Sequence, residues 1–303
     1  MKSRAFFAFL LIVHALPCQA AALRIVTTTA DLGSLATQIG GDRVAVTSIC
    51  KGYQDPHFVE AKPSYLLELR RADLLVAVAL ELEVGWLPPL LQQARNPKIL
   101  SPAGYLDASS SSEILEKPKE QVTRAMGDVH PFGNPHYWLD PENGRAIARA
   151  LAAKLSELDI PGKPVYEKNL ADFESKLSEK EKEWARKMAP YAGTEVVTYH
   201  NSWPNFLKYF GLHAAGYIEP KPGIPPTPSH TLEIINLISS RKVPLILIEP
   251  YFDTKTPRFI ASKTGATLLI FYPSVGGVPE IKDYFSVFDY DIDLFVKGMG
   301  AKK

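Results

Sequence analysis

The chain has 303 residues, 46% of them hydrophobic and 22% charged, a globular composition of roughly two-domain size that excludes fibrous and largely disordered readings. Lys and Arg number 34 against 33 Asp and Glu, a net charge of +1, so the basic excess of a general nucleic-acid binder is missing and no nucleic-acid partner is expected. Two cysteines, Cys18 and Cys50, exclude a disulfide framework and a cysteine-built zinc site.

Residues 1–22 read as a secretory signal peptide: Lys2 and Arg4 open it, residues 5–16 are apolar, and Ala20, Ala21 and Ala22 close it with small side chains. The apolar run is shorter than the roughly twenty residues that span a bilayer. Pro17 in front of Cys18 speaks against lipid attachment there. Without Lys2 and Arg4 the basic count falls from 34 to 32 against 33 acidic residues, so the mature chain is near neutral. It keeps Cys50 alone, expected as a buried, inert thiol. No later stretch is long and apolar enough for a membrane helix, and the mature protein is expected to be soluble outside the cytoplasm.

From residue 23 the chain alternates strand and helix signals: strand 23–28, helix 31–39 opening on Asp31 and closing at Gly40, strand 44–49, helix 63–72 and strand 74–79. Each pair fits a βαβ step. Residues 108–129 read as an exposed loop, and 141–158 as a helix with Pro141 in its first turn. Residues 165–188 form a long amphipathic pattern in which Leu170, Phe173, Leu177, Trp184 and Met188 make the apolar stripe. Glu174, Lys176, Glu179, Lys180, Glu181 and Lys182 are its expected solvated face. Such a helix reaches about 36 Å at 1.5 Å per residue, enough to join two lobes. Strand 194–199, helix 203–210, strand 214–218, a rigid proline-rich connection at 220–229, helix 231–238, strand 243–248, helix 256–264 and strand 267–271 follow. The expected fold class is α/β, with two Rossmann-like lobes of mainly parallel sheet, 23–160 and 193–303, joined by one long rigid helix within 161–192.

Ligands of open α/β sheets gather at the carboxyl ends of strands, and four good donors fall there. His57 follows strand 44–49 by one loop, in Asp55-Pro56-His57. His136 precedes a helix in Asn134-Pro135-His136, His200 ends strand 194–199, and Glu249 ends strand 243–248. Three imidazoles and a carboxylate are a tetrahedral zinc set, and prolines before two of the histidines restrict the backbone that carries them.

At these residues the chain resembles the periplasmic zinc- and manganese-binding proteins of ABC importers. The resemblance rests on Asp55-Pro56-His57-Phe58-Val59-Glu60, on Asn134-Pro135-His136-Tyr137-Trp138-Leu139-Asp140-Pro141, on Val197-Thr198-Tyr199-His200, on Tyr209-Phe210-Gly211-Leu212, on Pro228-Ser229-His230 and on Ile248-Glu249-Pro250. It implies two lobes, a rigid helix, one metal in the cleft, and His57, His136 and His200 as imidazole ligands. It also implies delivery to a membrane permease with its cytoplasmic ATPase, by a monomer with no catalytic role.

One departure stands out. The family commonly offers an aspartate after a late strand, whereas strand 267–271 runs into Tyr272-Pro273-Ser274-Val275. The fourth position is left to Glu249, to Asp128 or to water. The long His/Asp-rich loop of many zinc members is also missing, with only Asp128 and His130 in its place; His130 reads as a loop residue, and His213 and His230 as structural. A nitrogen-rich site favours zinc over manganese, which prefers oxygen donors. The alternative reading is a secreted zinc hydrolase with Glu249 as general base, though an H-E-x-x-H helix is missing.

Overall fold

The structure, a computed structural model, describes residues 22–123 and 126–300. The expected signal peptide, Ala22 apart, lies outside the described residues.

Short β-branched runs alternate with helices, and the outcome is two parallel four-stranded sheets of identical topology. In the first, β1 (Leu23–Thr27), β2 (Val44–Ser48), β3 (Leu74–Ala77) and β4 (Tyr105–Asp107) lie in the order β2-β1-β3-β4. In the second, β5 (Glu195–Thr198), β6 (His213–Tyr217), β7 (Leu245–Ile248) and β8 (Thr267–Ile270) lie as β6-β5-β7-β8. In both sheets the strand order reverses between the first and third strands, β1 and β3 or β5 and β7, the position at which α/β sheets open a crevice at the carboxyl edge. The central strands read as continuous apolar runs, LLVA in β3 and LILI in β7, because helices cover both of their faces.

The connecting helices are α1 (Ala30–Gly40), α2 (Pro63–Arg71), α3 (Leu87–Ala94) and α4 (Pro141–Leu158) in the first half, and α6 (Pro204–Tyr209), α7 (Pro228–Arg241) and α8 (Lys255–Thr264) in the second. Asp140 caps α4, accepting from the Glu142 N–H at 2.8 Å, with Pro141 in the first turn where its missing N–H costs nothing. Between the halves runs α5 (Lys163–Met188), 26 residues. The closing helix α9 (Tyr284–Gly300) is absent from the sequence-based expectation, since it is apolar on several faces and shows no single stripe.

That closing helix changes how the halves are joined. It lies along α5, with the Phe173 and Phe285 rings 5.1 Å apart and Trp184 and Phe288 4.9 Å apart, while α5 also packs on α1 and α4. One apolar core therefore runs from Ile25 in β1 through Leu151, Phe173 and Trp184 to Phe295. The expected solvated face of α5 is partly occupied: Glu181 pairs with Arg145 of α4 at 2.6 Å, Glu174 with Arg149 at 2.5 Å, and Lys180 with Asp289 of α9 at 2.9 Å. A charge run read in isolation has no neighbours; here two helices flank it.

Two further links cross the interface near the cleft. Buried Asp31, in the first turn of α1, accepts from the Ser274 hydroxyl at 2.7 Å and the Val275 N–H at 3.0 Å. Burial pushes its carboxyl up to about 6 against the pull of those bonds. Gly52, in the loop after β2, lies so close to the backbone of Val275 and Gly277 that a Cβ there would overlap it.

Candidate metal centre

Each donor histidine sits on a segment that neighbouring groups hold in place. The His57 loop is tied down where the Trp86 indole N–H donates to the Pro56 carbonyl at 2.9 Å. His136 stands before the single 3-10 turn Tyr137–Leu139 that leads into α4; its N–H donates to the Asn134 Oδ1 at 3.0 Å, and the Asn134 amide donates to the Asn201 carbonyl at 2.8 Å. His200 lies two residues past the end of β5.

The three rings converge. Their centroids are 5.2 Å apart for His57–His136, 5.2 Å for His57–His200 and 5.6 Å for His136–His200. Among the described residues, one donor atom from each of these three lies within 4.8 Å of the other two. Nitrogens bound to a common tetrahedral zinc sit about 3.4 Å apart, from bond lengths of about 2.0–2.1 Å, so modest side-chain adjustment closes the set.

Carboxylates stand behind two of the rings. Asp55 Oδ1 lies 2.8 Å from His57 Nδ1 and also accepts the His57 N–H at 2.9 Å. Glu219 Oε2 lies 2.7 Å from His200 Nδ1 and accepts the Gly223 N–H at 3.2 Å. A carboxylate on Nδ1 fixes the tautomer that leaves Nε2 free to ligate and makes it a stronger donor. Burial lifts the Asp55 carboxyl, but its bonds and charge contact with His57 outweigh that and hold it below the usual range. On the open side, His57 Nε2 and both ring nitrogens of His136 are buried without a protein partner. Burial first, then the neighbouring imidazoles, push His136 well below 6.5, which favours the neutral ring, with a proton on one nitrogen and a lone pair on the other.

The structure places Glu249 elsewhere. Its carboxyl is wholly buried, Oε1 accepts from the Trp203 indole at 2.8 Å, and burial pushes its pKa up to about 8, so it is mostly protonated at neutral pH. It is not part of the clustered donor set. The two roles are divided between twin triplets: Ile218-Glu219-Pro220 after β6 backs His200, whereas Ile248-Glu249-Pro250 after β7 braces Trp203. Sequence reasoning passed over Glu219, although the signal, a glutamate at a strand's carboxyl end, is the same in both. The segment after β8 brings no carboxylate: the Pro273 carbonyl accepts from the Trp138 indole at 2.9 Å, and Ser274 is held by Asp31.

The zinc-uptake complex component A periplasmic family model matches residues 25–298. The chain belongs to this family. Among its relatives is the manganese ABC transporter substrate-binding lipoprotein PsaA of Streptococcus pneumoniae, 27% identical, with 91% of this chain and 89% of that protein covered. A crystal structure of ZnuA superposes with a TM-score of 0.77 at 26% identity, covering 91% of this chain and 98% of that one. The Mn-bound periplasmic metal binding protein from Candidatus Liberibacter asiaticus shares the fold, with a TM-score of 0.74 at 17% identity over 90% of this chain and 98% of that one. In this chain the three imidazoles lie at the carboxyl edges of the two sheets.

Proposed function

We propose that this member of the ZnuA family captures a divalent metal ion, zinc in preference to manganese, on His57, His136 and His200 in the interlobe cleft. It hands the ion, as a monomer in the periplasm, to the membrane permease and ATPase of an ABC importer. The supporting observation is the convergence of three imidazoles from separate loops, with Asp55 and Glu219 orienting two of them and buried nitrogens facing one another. Nitrogen donors favour zinc over manganese in the affinity order, and the donor set contains no carboxylate oxygen. The relatives' names supply the importer: PsaA of Streptococcus pneumoniae is a manganese ABC transporter substrate-binding lipoprotein.

Calorimetric titration of the metal-stripped protein with zinc and with manganese tests this. One zinc per chain, bound more tightly than manganese and weakened at least roughly 10 to 100-fold by His57→Ala, His136→Ala or His200→Ala, is the expected result. Equal zinc affinity across the parent and the three variants overturns the reading.

A further inference from the structure

Beside the three imidazoles stands a fourth. The His130 ring centroid is 5.4 Å from that of His57, and His130 lines both the cleft that His136 and His200 share and the adjoining one that His57 lines. Its Nε2 is buried without a protein partner, in the same condition as His57 Nε2. Its Nδ1 lies 3.1 Å from the Leu80 carbonyl, an acceptor, so Nδ1 carries the proton and Nε2 the free lone pair. His130 thus has the arrangement that Asp55 and Glu219 give to His57 and His200, with a carbonyl in place of a carboxylate.

The carbonyl is put there at a cost. Ala79, Leu80 and Glu81 are three successive non-glycine residues in the left-handed region, with φ of 64°, 54° and 67°. Such backbone persists only where the surroundings over-determine it. Here the buried Glu83 carboxylate clamps the turn, accepting the N–H groups of Val78 at 2.8 Å and Ala79 at 3.0 Å. This is also why β3 ends at Ala77, short of the residue 79 that its apolar run suggests. Within the turn, the Ala79 carbonyl takes the Leu82 N–H and the Glu81 carbonyl takes the Val84 N–H. The Leu80 carbonyl between them meets the imidazole. On the other side, the His130 loop is fastened to the second half: the Asp128 N–H donates to the Pro222 carbonyl at 2.9 Å, and the Asp128 carboxylate lies against Gly223, whose own N–H donates to Glu219. The loop therefore bridges both walls of the cleft with His130 between them.

We propose that His130 closes on the captured ion as a fourth nitrogen donor, in the place for which the segment after β8 offers no carboxylate, and that the resulting all-imidazole set is what selects zinc over manganese. The inference rests on the carrier reading above. Since the clustered donor atoms are those of His57, His136 and His200 alone, ligation draws the His130 ring inward on loading, and the Leu80 carbonyl, by holding the proton on Nδ1, leaves Nε2 as the ligating atom. Four borderline nitrogen ligands suit zinc's tetrahedral preference, whereas manganese gains more from oxygen.

The test uses the metal-stripped full mature chain, titrated with zinc, manganese and cobalt(II), the last read by its visible absorption, which follows donor number and type. His130→Ala is expected to weaken zinc at least roughly 10-fold, to weaken manganese less, and to shift the cobalt bands. His130→Gln guards against a loop that fails to order, and His130→Asp, which restores an oxygen donor, is expected to narrow the zinc-to-manganese preference. If His57→Ala and His136→Ala lose the ion while all three His130 variants keep the parent's zinc affinity and cobalt spectrum, the role of His130 is overturned and the carrier stands. If the parent chain takes up neither zinc nor cobalt, both fall.

Discussion

The back of the molecule and its cleft are built on opposite terms. Along α5, aromatic rings from α9 interlock with Phe173 and Trp184 in a core that ignores the division into halves. In the cleft, a few residues from the same sheets, imidazole nitrogens are buried with nothing to bond. Unpaired buried polar groups destabilise a fold, by about 1–3 kcal/mol each, so a chain that keeps several together is holding them for a ligand that the fold itself does not contain. The rigid back offsets the cost of the frustrated front, and it limits how the front can respond. With two long helices and a shared core across the interface, loading should move loops rather than swing lobes.

Four measurements bear on that contrast. The largest effect is expected at the back: Trp184→Ala, which empties a fully buried site and strands its bond to Asp289, should lower the unfolding free energy by about 3–5 kcal/mol in urea titration while zinc affinity stays near that of the parent. A comparable loss of metal binding would show that the two regions are not separable.

Asp31, on the seam between them, should make stability depend on pH. Its carboxyl holds a proton up to about pH 6 in the fold, against an ordinary 3.8. The stabilisation is therefore full below about 3.8 and is lost as pH rises through about 6, a change on the order of 3 kcal/mol at about 1.4 kcal/mol per unit. Urea midpoints of the parent and Asp31→Asn from pH 4 to 7 would show a slope that the variant lacks; parallel curves would remove Asp31 from the account.

Glu219→Gln sharpens the cleft side. It keeps the shape behind His200 but removes the charge, and zinc affinity should fall roughly 10 to 100-fold with little change in the melting temperature. A change in stability without a change in affinity would make the pair structural. The smallest expected effect is in shape: X-ray scattering of the stripped and zinc-loaded protein should give the same radius of gyration within error, and a clear contraction would mean that the back bends after all.

Legibility in the sequence followed the range of the interaction. The β-branched runs, the proline-opened helix at 141–158 and the amphipathic α5 depend on neighbours a few residues away, and all were readable from period and punctuation. Three elements were not. The edge strand β4 has three residues, α3 opens on Leu87-Pro88-Pro89 and so reads as punctuation, and α9 is apolar on too many sides to show a face. At the site, His57, His136 and His200 could be singled out because strand ends and proline-flanked loops are local signals. The choice between Glu219 and Glu249 could not, since both follow a strand in the same triplet.

The residues alone determined two α/β halves, a connecting helix and histidines at the carboxyl rims, because strand alternation, helix period and turn chemistry are properties of short segments. Tertiary structure decided which carboxylate stands behind which ring, that Glu249 belongs to Trp203, and that His130 faces the trio from a clamped left-handed turn. Those outcomes depend on groups 19 to 50 residues apart meeting at distances near 3 Å, which packing sets and no local pattern encodes.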